Sequence, residues 1–190
     1  MAEPGKILDI RGIWHSVFDQ DNTSLRVTSS NVDLGATENH IGQVGGHTAV
    51  VNLQGTTTAE AHSAGDVIWN PIEVAGVFRT GGPYTGVIQS VLVQDDDDLG
   101  ENLDLVFLSG NSSLGSPGGA VSMTDNDNVL GVVNITTWDD HINSQCSTEV
   151  NVGLAVQSTS TSLWVGAIAR GTPTFTSTKA ITVRMGVLQD

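Results

Sequence analysis

Cysteine, basic residues and long apolar runs are all scarce in this chain of 190 residues. The only cysteine is Cys146, so an intrachain disulfide is excluded and no redox compartment is implied. No apolar stretch approaches the ~18 residues that a membrane-spanning helix needs, and we expect no membrane partner. The first residues, MAEPGKILDIRGIW, lack a basic segment followed by an apolar run, so we expect no secretory signal.

Basic side chains are the scarcest charged group. The chain contains seven Lys and Arg residues and 21 acidic residues, which gives a formal net charge of −14. Nucleic-acid binding depends on clusters of Lys and Arg, and the seven basic residues here are scattered along the sequence. We therefore expect no direct binding of nucleic acid. The acidity favours solubility and opposes non-specific association.

The residues that are abundant are typical of β-structure. Only 15% of the chain is charged, below the usual value of about 25%, and Gly, Ser, Thr, Val and Asn make up the difference. Runs of β-branched and aromatic residues, several with period-2 alternation, predict strands. These strands cover 47–53, 66–74 (interrupted by Pro71), 76–79, 86–94, 102–109, 129–135, 149–157, 162–170 and 180–189. In 149–157, the alternation predicts that Val150, Val152, Leu154 and Val156 share one face.

This pattern predicts an all-β protein. Residues 43–190 form an antiparallel β-sandwich or jelly roll of about eight strands, since Gly, Asp and Pro separate the strands. One short helical turn is expected at 122–130, capped by Thr124 or Asp125. Residues 1–42 hold few apolar runs and are expected to form an extended N-terminal arm with one or two short strands. A disordered tail is the alternative.

The stretch LSGNSSLGSPGGAVSM (108–123) raises the question of a serine nucleophile. A chymotrypsin-like order would use His47 or His62, then an Asp from 95–98, then Ser116. However, Ser116 precedes Pro117, and neither Gly-Asp-Ser-Gly-Gly nor Gly-x-Ser-x-Gly occurs. Ser and Gly are ordinary loop residues, so we interpret the stretch as a loop and expect no enzyme.

Metal and cofactor sites are not expected either. Four successive aspartates in QDDDDLGENLD (94–104) point in different directions, so the run is interpreted as a solvated hairpin turn rather than a calcium site. The five histidines lack metal spacing, and WDDH (138–141) is interpreted as surface.

Three tryptophans allow two interpretations. Trp69, Trp138 and Trp164 could stack on a sugar, but core packing is the default for such side chains. Glycan-acceptor motifs begin at Asn111 and Asn134, and they carry little weight without a secretory signal.

Two stretches resemble small structural proteins encoded in tailed-bacteriophage genomes. They are HIGQVGGHTAVV followed by AHSAGDVI (40–68), and the run from GVIQSVLVQD to the terminal RGTPTFTSTKAITVRMGVLQD (86–190). The shared elements occur in the family's order over most of the chain.

The resemblance implies a virion protein without enzymatic activity. The implied role is that of a capsid decoration (cement) protein, a homotrimer that is assembled in the host cytoplasm and binds the major capsid protein on the outer surface of the shell. The N-terminal arm, with Arg11, Trp14, Phe18 and Arg26, would then be the protein interface. The alternative is a head-fibre or tail receptor- or glycan-binding module that exposes Trp138 or Trp164.

Overall fold

A computed structural model describes residues 6–8, 14–16, 47–124, 126, 128–176 and 179–189. The chain divides into two compact units, residues 1–44 and 45–190. In the first unit, β1 (Lys6–Leu8) pairs antiparallel with β2 (Trp14–Ser16). The rest of the predicted arm lies outside the described residues.

The second unit is all-β, as the sequence predicts, and none of its described residues is helical. It has two antiparallel sheets. Its strands are β3 (His47–Thr56), β4 (Val67–Val74), β5 (Thr85–Asp95), β6 (Leu103–Leu108), β7 (Val129–Ile135), β8 (Asp139–Asp140), β9 (Gln145–Gln157), β10 (Leu163–Ala169) and β11 (Ala180–Gln189). One sheet has the order β4-β10-β6-β7, and the other has the order β3-β11-β5-β9-β8.

The main core lies between the two sheets, which makes the unit a β-sandwich. Ile88, Val91 and Val183 from the five-stranded sheet share one buried cluster with Leu105 and Phe107 of β6. β6 is buried along its whole length, because its alternate residues face this core and a second apolar layer on the other side. Such two-sided burial explains why five of its six residues are apolar, Asp104 being the exception.

Two glycines allow the sheets to approach each other. A Cβ on Gly55 of β3 would lie 2.6 Å from the indole ring of Trp69 on β4. A Cβ on Gly131 of β7 would lie 2.5 Å from a methyl carbon of Leu154 on β9. At Gly55 the clashing atoms belong to a buried indole ring, so this position requires glycine, whereas a side chain at Gly131 would require Leu154 to move.

Two local predictions are wrong. Residues 76–79 do not form a strand, because the chain turns at Gly76 (φ 75°) and the side chain of Gln189 binds the carbonyl oxygen of Val77 at 2.7 Å. No helical turn occurs among the described residues of 122–130. Thr124 lies in a bend there, Asp125 is outside the described residues, and β7 already begins at Val129.

The predicted alternation in β9 is also wrong in part. Val150 is 67% exposed, whereas Val156 is buried. Asn151 and Gly153 have positive φ (59° and 65°), and three residues of β9 stand opposite one residue of β5 at this point. Such a bulge reverses the face that later residues occupy. Val150 therefore points away from the core.

Candidate interaction surfaces

Residues 109–123 cover the outer face of the four-stranded sheet. Leu114 is buried there in a cluster with Val106, Leu108 and Ile168. A Cβ on Gly166 of β10 would lie 2.5 Å from a Leu114 methyl carbon, so the glycine makes room for this contact. The interpretation of this stretch as a loop is confirmed, and the loop forms a second apolar layer.

Asn70 of β4 fastens this loop to the sheet. Its Oδ1 accepts a hydrogen bond from the Leu114 amide at 3.0 Å, and its Nδ2 donates to the Gly115 carbonyl oxygen at 2.7 Å. The amide of Gly118 also donates to the carbonyl oxygen of Val67 at 2.9 Å. Serine and glycine are thus used here for a tightly bonded turn, because their small side chains leave the backbone accessible.

The two histidines of the chymotrypsin-like order contact residues other than Ser116. His47 bonds through Nδ1 to the Gln189 side chain at 2.8 Å. His62 is 3% exposed, lies edge-on to the Phe175 ring, and has no hydrogen-bond partner for either ring nitrogen. Neither His47 nor His62 therefore hydrogen-bonds to Ser116.

The aspartate run is a turn, but it is not a hairpin, since β5 and β6 belong to different sheets. The Asp95 carboxylate is buried and accepts hydrogen bonds from the amides of Asp97 (2.9 Å), Leu99 (3.1 Å) and Gly100 (3.2 Å). The next three carboxylates bond to separate partners: Asp96 to Gln94, Asp97 to Thr176, and Asp98 to Gln145. These hydrogen bonds therefore fix the segment by which the chain crosses from β5 in one sheet to β6 in the other.

One buried ion pair was not predicted. Asp104 on the outer face of β6 is 3% exposed in its side chain and pairs with Arg170, which is 51% exposed. Its other oxygen accepts a hydrogen bond from Nδ2 of Asn134 at 2.6 Å. A carboxylate within the apolar run LDLVFL is the signal that could have indicated this site, because a buried charge requires partners.

The three candidate tryptophans are packed against apolar clusters. Trp69 is buried and donates from Nε1 to the carbonyl oxygen of Val165 at 3.3 Å. Trp164 and Trp138 are half-buried, Trp164 against the outer apolar layer and Trp138 against the main core. The exposed residues beside Trp138 include Thr137, Asp139, Asp140 and His141.

Metal binding has no support in the described part of the chain, where no three His, Cys, Asp or Glu side chains come together. Cys146 on β9 is a free thiol, and burial together with the carboxylates of Asp139 and Asp96 raises its pKa. No helix in the described ranges is long and apolar enough to cross a membrane.

Of the four expected interface residues, Trp14 begins β2, and Arg11, Phe18 and Arg26 lie outside the described residues.

The outer side of the five-stranded sheet carries few charged side chains. We call it the open face. On β3, β11, β5 and β9 its one charged side chain is Arg184, and on β8 it includes Asp139, which stands opposite Cys146. The open face consists of Thr48, Val50, Asn52, Gln54, Val87, Ser90, Leu92, Gln94, Asp139, Cys146, Thr148, Val150, Ala155, Thr182, Arg184, Gly186 and Leu188.

Comparisons with known proteins identify no family. No family model and no curated protein matches the chain. Among solved structures, a chain from the structure of infectious bursal disease virus Gx strain is similar at 12% identity with a TM-score of 0.18. That likeness covers 75% of this chain and 41% of the viral chain.

Proposed function

We propose that this chain is a non-enzymatic structural protein of a bacteriophage virion. In this proposal it is a capsid decoration (cement) protein that binds the outer surface of the major capsid protein and stabilises the shell. The resemblance of its ordered sequence elements to tailed-phage structural proteins supports the class. Its partners are the major capsid protein and further copies of the chain, for which the resemblance implies a trimer.

The observation that carries the proposal is the way in which long connections are bonded to the sandwich. Asn70 holds the loop 109–123, Asp95 holds the turn after β5, and Asp97 holds Thr176 in the connection before β11. A protein that bridges capsid subunits must keep its shape while outward pressure acts on its contacts. Connections that are fixed to rigid strands are suited to that task.

The proposal assigns capsid binding to residues 1–42. Arg11 and Arg26 supply two of the few positive charges, and Trp14 and Phe18 supply apolar contact area. Specific interfaces bury about 1,200–2,000 Å² in total, and an arm of this length is long enough to supply much of it. The acidic surface would keep particles apart. No nucleic acid, membrane, metal or cofactor takes part.

The test is the copy number of the chain in purified virions, measured by gel densitometry against the major capsid protein. A ratio near one to one, or a simple fraction of it, is expected for a cement protein. A few copies per particle would overturn the proposal in favour of a head-fibre or tail receptor module. Absence from virions would overturn the virion assignment itself.

A second test addresses the arm in the full-length chain. Trp14→Ala combined with Phe18→Ala should abolish attachment to undecorated shells and leave the fold of the sandwich unchanged. Val121→Ala, an exposed apolar residue in the second unit, is the matched control and should bind like the original chain. Full occupancy of shells by the double variant would contradict the assignment of the arm.

A further inference from the structure

The open face has an unusual distribution of charge. The chain carries 21 acidic residues, yet none of the described residues that point outward from β3, β11, β5 and β9 is acidic. The carboxylates on these strands, Asp95 and Glu149, align with core-facing rows, since Asp95 pairs with Ile181 and Glu149 pairs with Val91. Two acids lie at one corner of the open face: Asp139 on the short edge strand stands opposite Cys146, and the Asp96 carboxylate accepts a hydrogen bond from Nε2 of Gln94 at 3.0 Å.

One row of residues on the open face combines large and small side chains. Val50, Gly186, Ser90 and Val150 align in one row across four strands. Val50 and Val150 are 65% and 67% exposed, and the two residues between them are small. Strands lie about 4.8 Å apart, so in this row two exposed valines about 14 Å apart flank the small residues Gly186 and Ser90. In this row, a valine of one copy can pack against the small residues of a second copy.

We propose that the open face is the contact between two copies of this chain, which pack face to face about a two-fold axis. Each copy carries a net charge of −14, so two copies repel each other wherever carboxylates meet. Across β3, β11, β5 and β9, the open face lets two copies approach with little of that repulsion, because no outward residue of these strands is acidic. Charge at this position would be selected against in a contact between identical acidic molecules.

The area is adequate for such a contact. Four strands about 4.8 Å apart and about eight residues long at about 3.3 Å per residue give a plane of roughly 400–500 Å² per copy. Two corrugated faces of this size bury about 1,000 Å² or more together, near the lower limit for a specific interface. The contact is isologous, because each copy contributes the same surface, and it closes at two copies. A trimer would need a second contact elsewhere.

The experiment is sedimentation equilibrium of the purified full-length chain across a wide range of concentration and salt. Dimers are expected, and their dissociation constant should fall as salt screens the repulsion between the two acidic copies. This test uses the chain alone, so its result is independent of whether the protein decorates capsids.

Matched substitutions locate the contact. Val150→Asp and Val50→Asp each place two carboxylates in one interface and should raise the dissociation constant about 100-fold. Ile142→Asp is the control, because Ile142 is 92% exposed in the turn after β8 and gains the same charge outside the open face. It should change the constant by about twofold or less. Val150→Thr retains strand propensity and should weaken the dimer less than Val150→Asp.

Three outcomes would overturn the proposal. The first is a monomer at every concentration and salt. The second is association that all the aspartate variants leave equally strong, whether as a dimer or as a trimer. The third is a complex that weakens as salt increases, since that would indicate an interface built from charge pairs. Thermal unfolding of each variant establishes that the sandwich has folded, and Val50 and Val150 lie on different strands, so either variant alone suffices.

Discussion

The side-chain amide of Asn70 bonds to both sides of the peptide that joins Leu114 to Gly115. Its Oδ1 accepts from the Leu114 amide, and its Nδ2 donates to the Gly115 carbonyl oxygen. Leu114 then fills the outer apolar layer above Gly166. Asn70 on β4 thus helps to fix a loop more than forty residues later in the chain, together with backbone bonds such as that from Gly118 to Val67.

Asn70→Ala should therefore release the loop 109–123. Loss of these bonds leaves part-buried backbone groups without partners, and we expect the free energy of unfolding to fall by about 2–3 kcal/mol. Amide hydrogen exchange in 109–123 should increase locally. Asn52→Ala is the control, since Asn52 is exposed and its Oδ1 accepts a hydrogen bond from the exposed Arg184. Unchanged exchange in the loop would show that Asn70 does not hold it.

Features of the fold that depend on neighbouring residues could be predicted from the sequence, and features that depend on contacts between distant residues could not. The strand 129–135 is predicted with its bounds, and 180–189 likewise, because period-2 alternation is local. The outward position of Val150 could not be predicted, since it follows from how β9 pairs with a distant strand. The loop was recognised from its Ser and Gly content, but its partner Asn70 is identified only by the folded contact.

The burial of individual polar residues could not be predicted from the sequence. The aspartate run was expected to be a solvated hairpin, and Asp95 is instead buried at a crossover between sheets. Neighbouring aspartates differ in burial because their side chains point in different directions. Composition cannot distinguish them, and only the register shows that Asp95 lies in a core-facing row.

Asp95 and Asp98 therefore give a paired test within one turn. Asp95→Ala removes the acceptor for three backbone amides and should cost about 2–3 kcal/mol in the free energy of unfolding. Asp98→Asn should cost about 0.5 kcal/mol or less, because Asp98 is exposed and asparagine tolerates its φ of 59°. Urea titration measures both. Equal losses would contradict the structural role given to Asp95.

His62 tests the opposite case, a buried polar side chain without partners. A substitution that removes both ring nitrogens and keeps an apolar side chain should leave the free energy of unfolding unchanged or raise it. We expect His62→Leu to leave the free energy of unfolding within about 1 kcal/mol of the original value or to raise it, since lost contact with Phe175 offsets part of the gain. The exposed His141→Leu is the control. A loss above about 2 kcal/mol would indicate that the His62 nitrogens are hydrogen-bonded in solution.

The thiol of Cys146 provides a prediction about pH. Burial is the largest cause that raises its pKa, followed by the negative charges of Asp139 and Asp96. A raised pKa lowers the fraction of reactive thiolate at a given pH. Alkylation of the folded chain by iodoacetamide should therefore reach half its maximal rate at a higher pH than alkylation of the chain unfolded in urea.

Asp139→Asn separates the charge effect from burial. Asp139 stands opposite Cys146 across the β8–β9 pair, so removing its charge should lower the pH of half-maximal alkylation while burial of the thiol is unchanged. Asp140→Asn, one position along the same strand and opposite Gln145, removes an equal charge and should shift that pH less. An equal shift in both variants would mean that net charge, rather than the carboxylate across the strand pair, governs the thiol. Half-maximal alkylation at the same pH in folded and unfolded chains would show that the folded chain does not raise the pKa of Cys146.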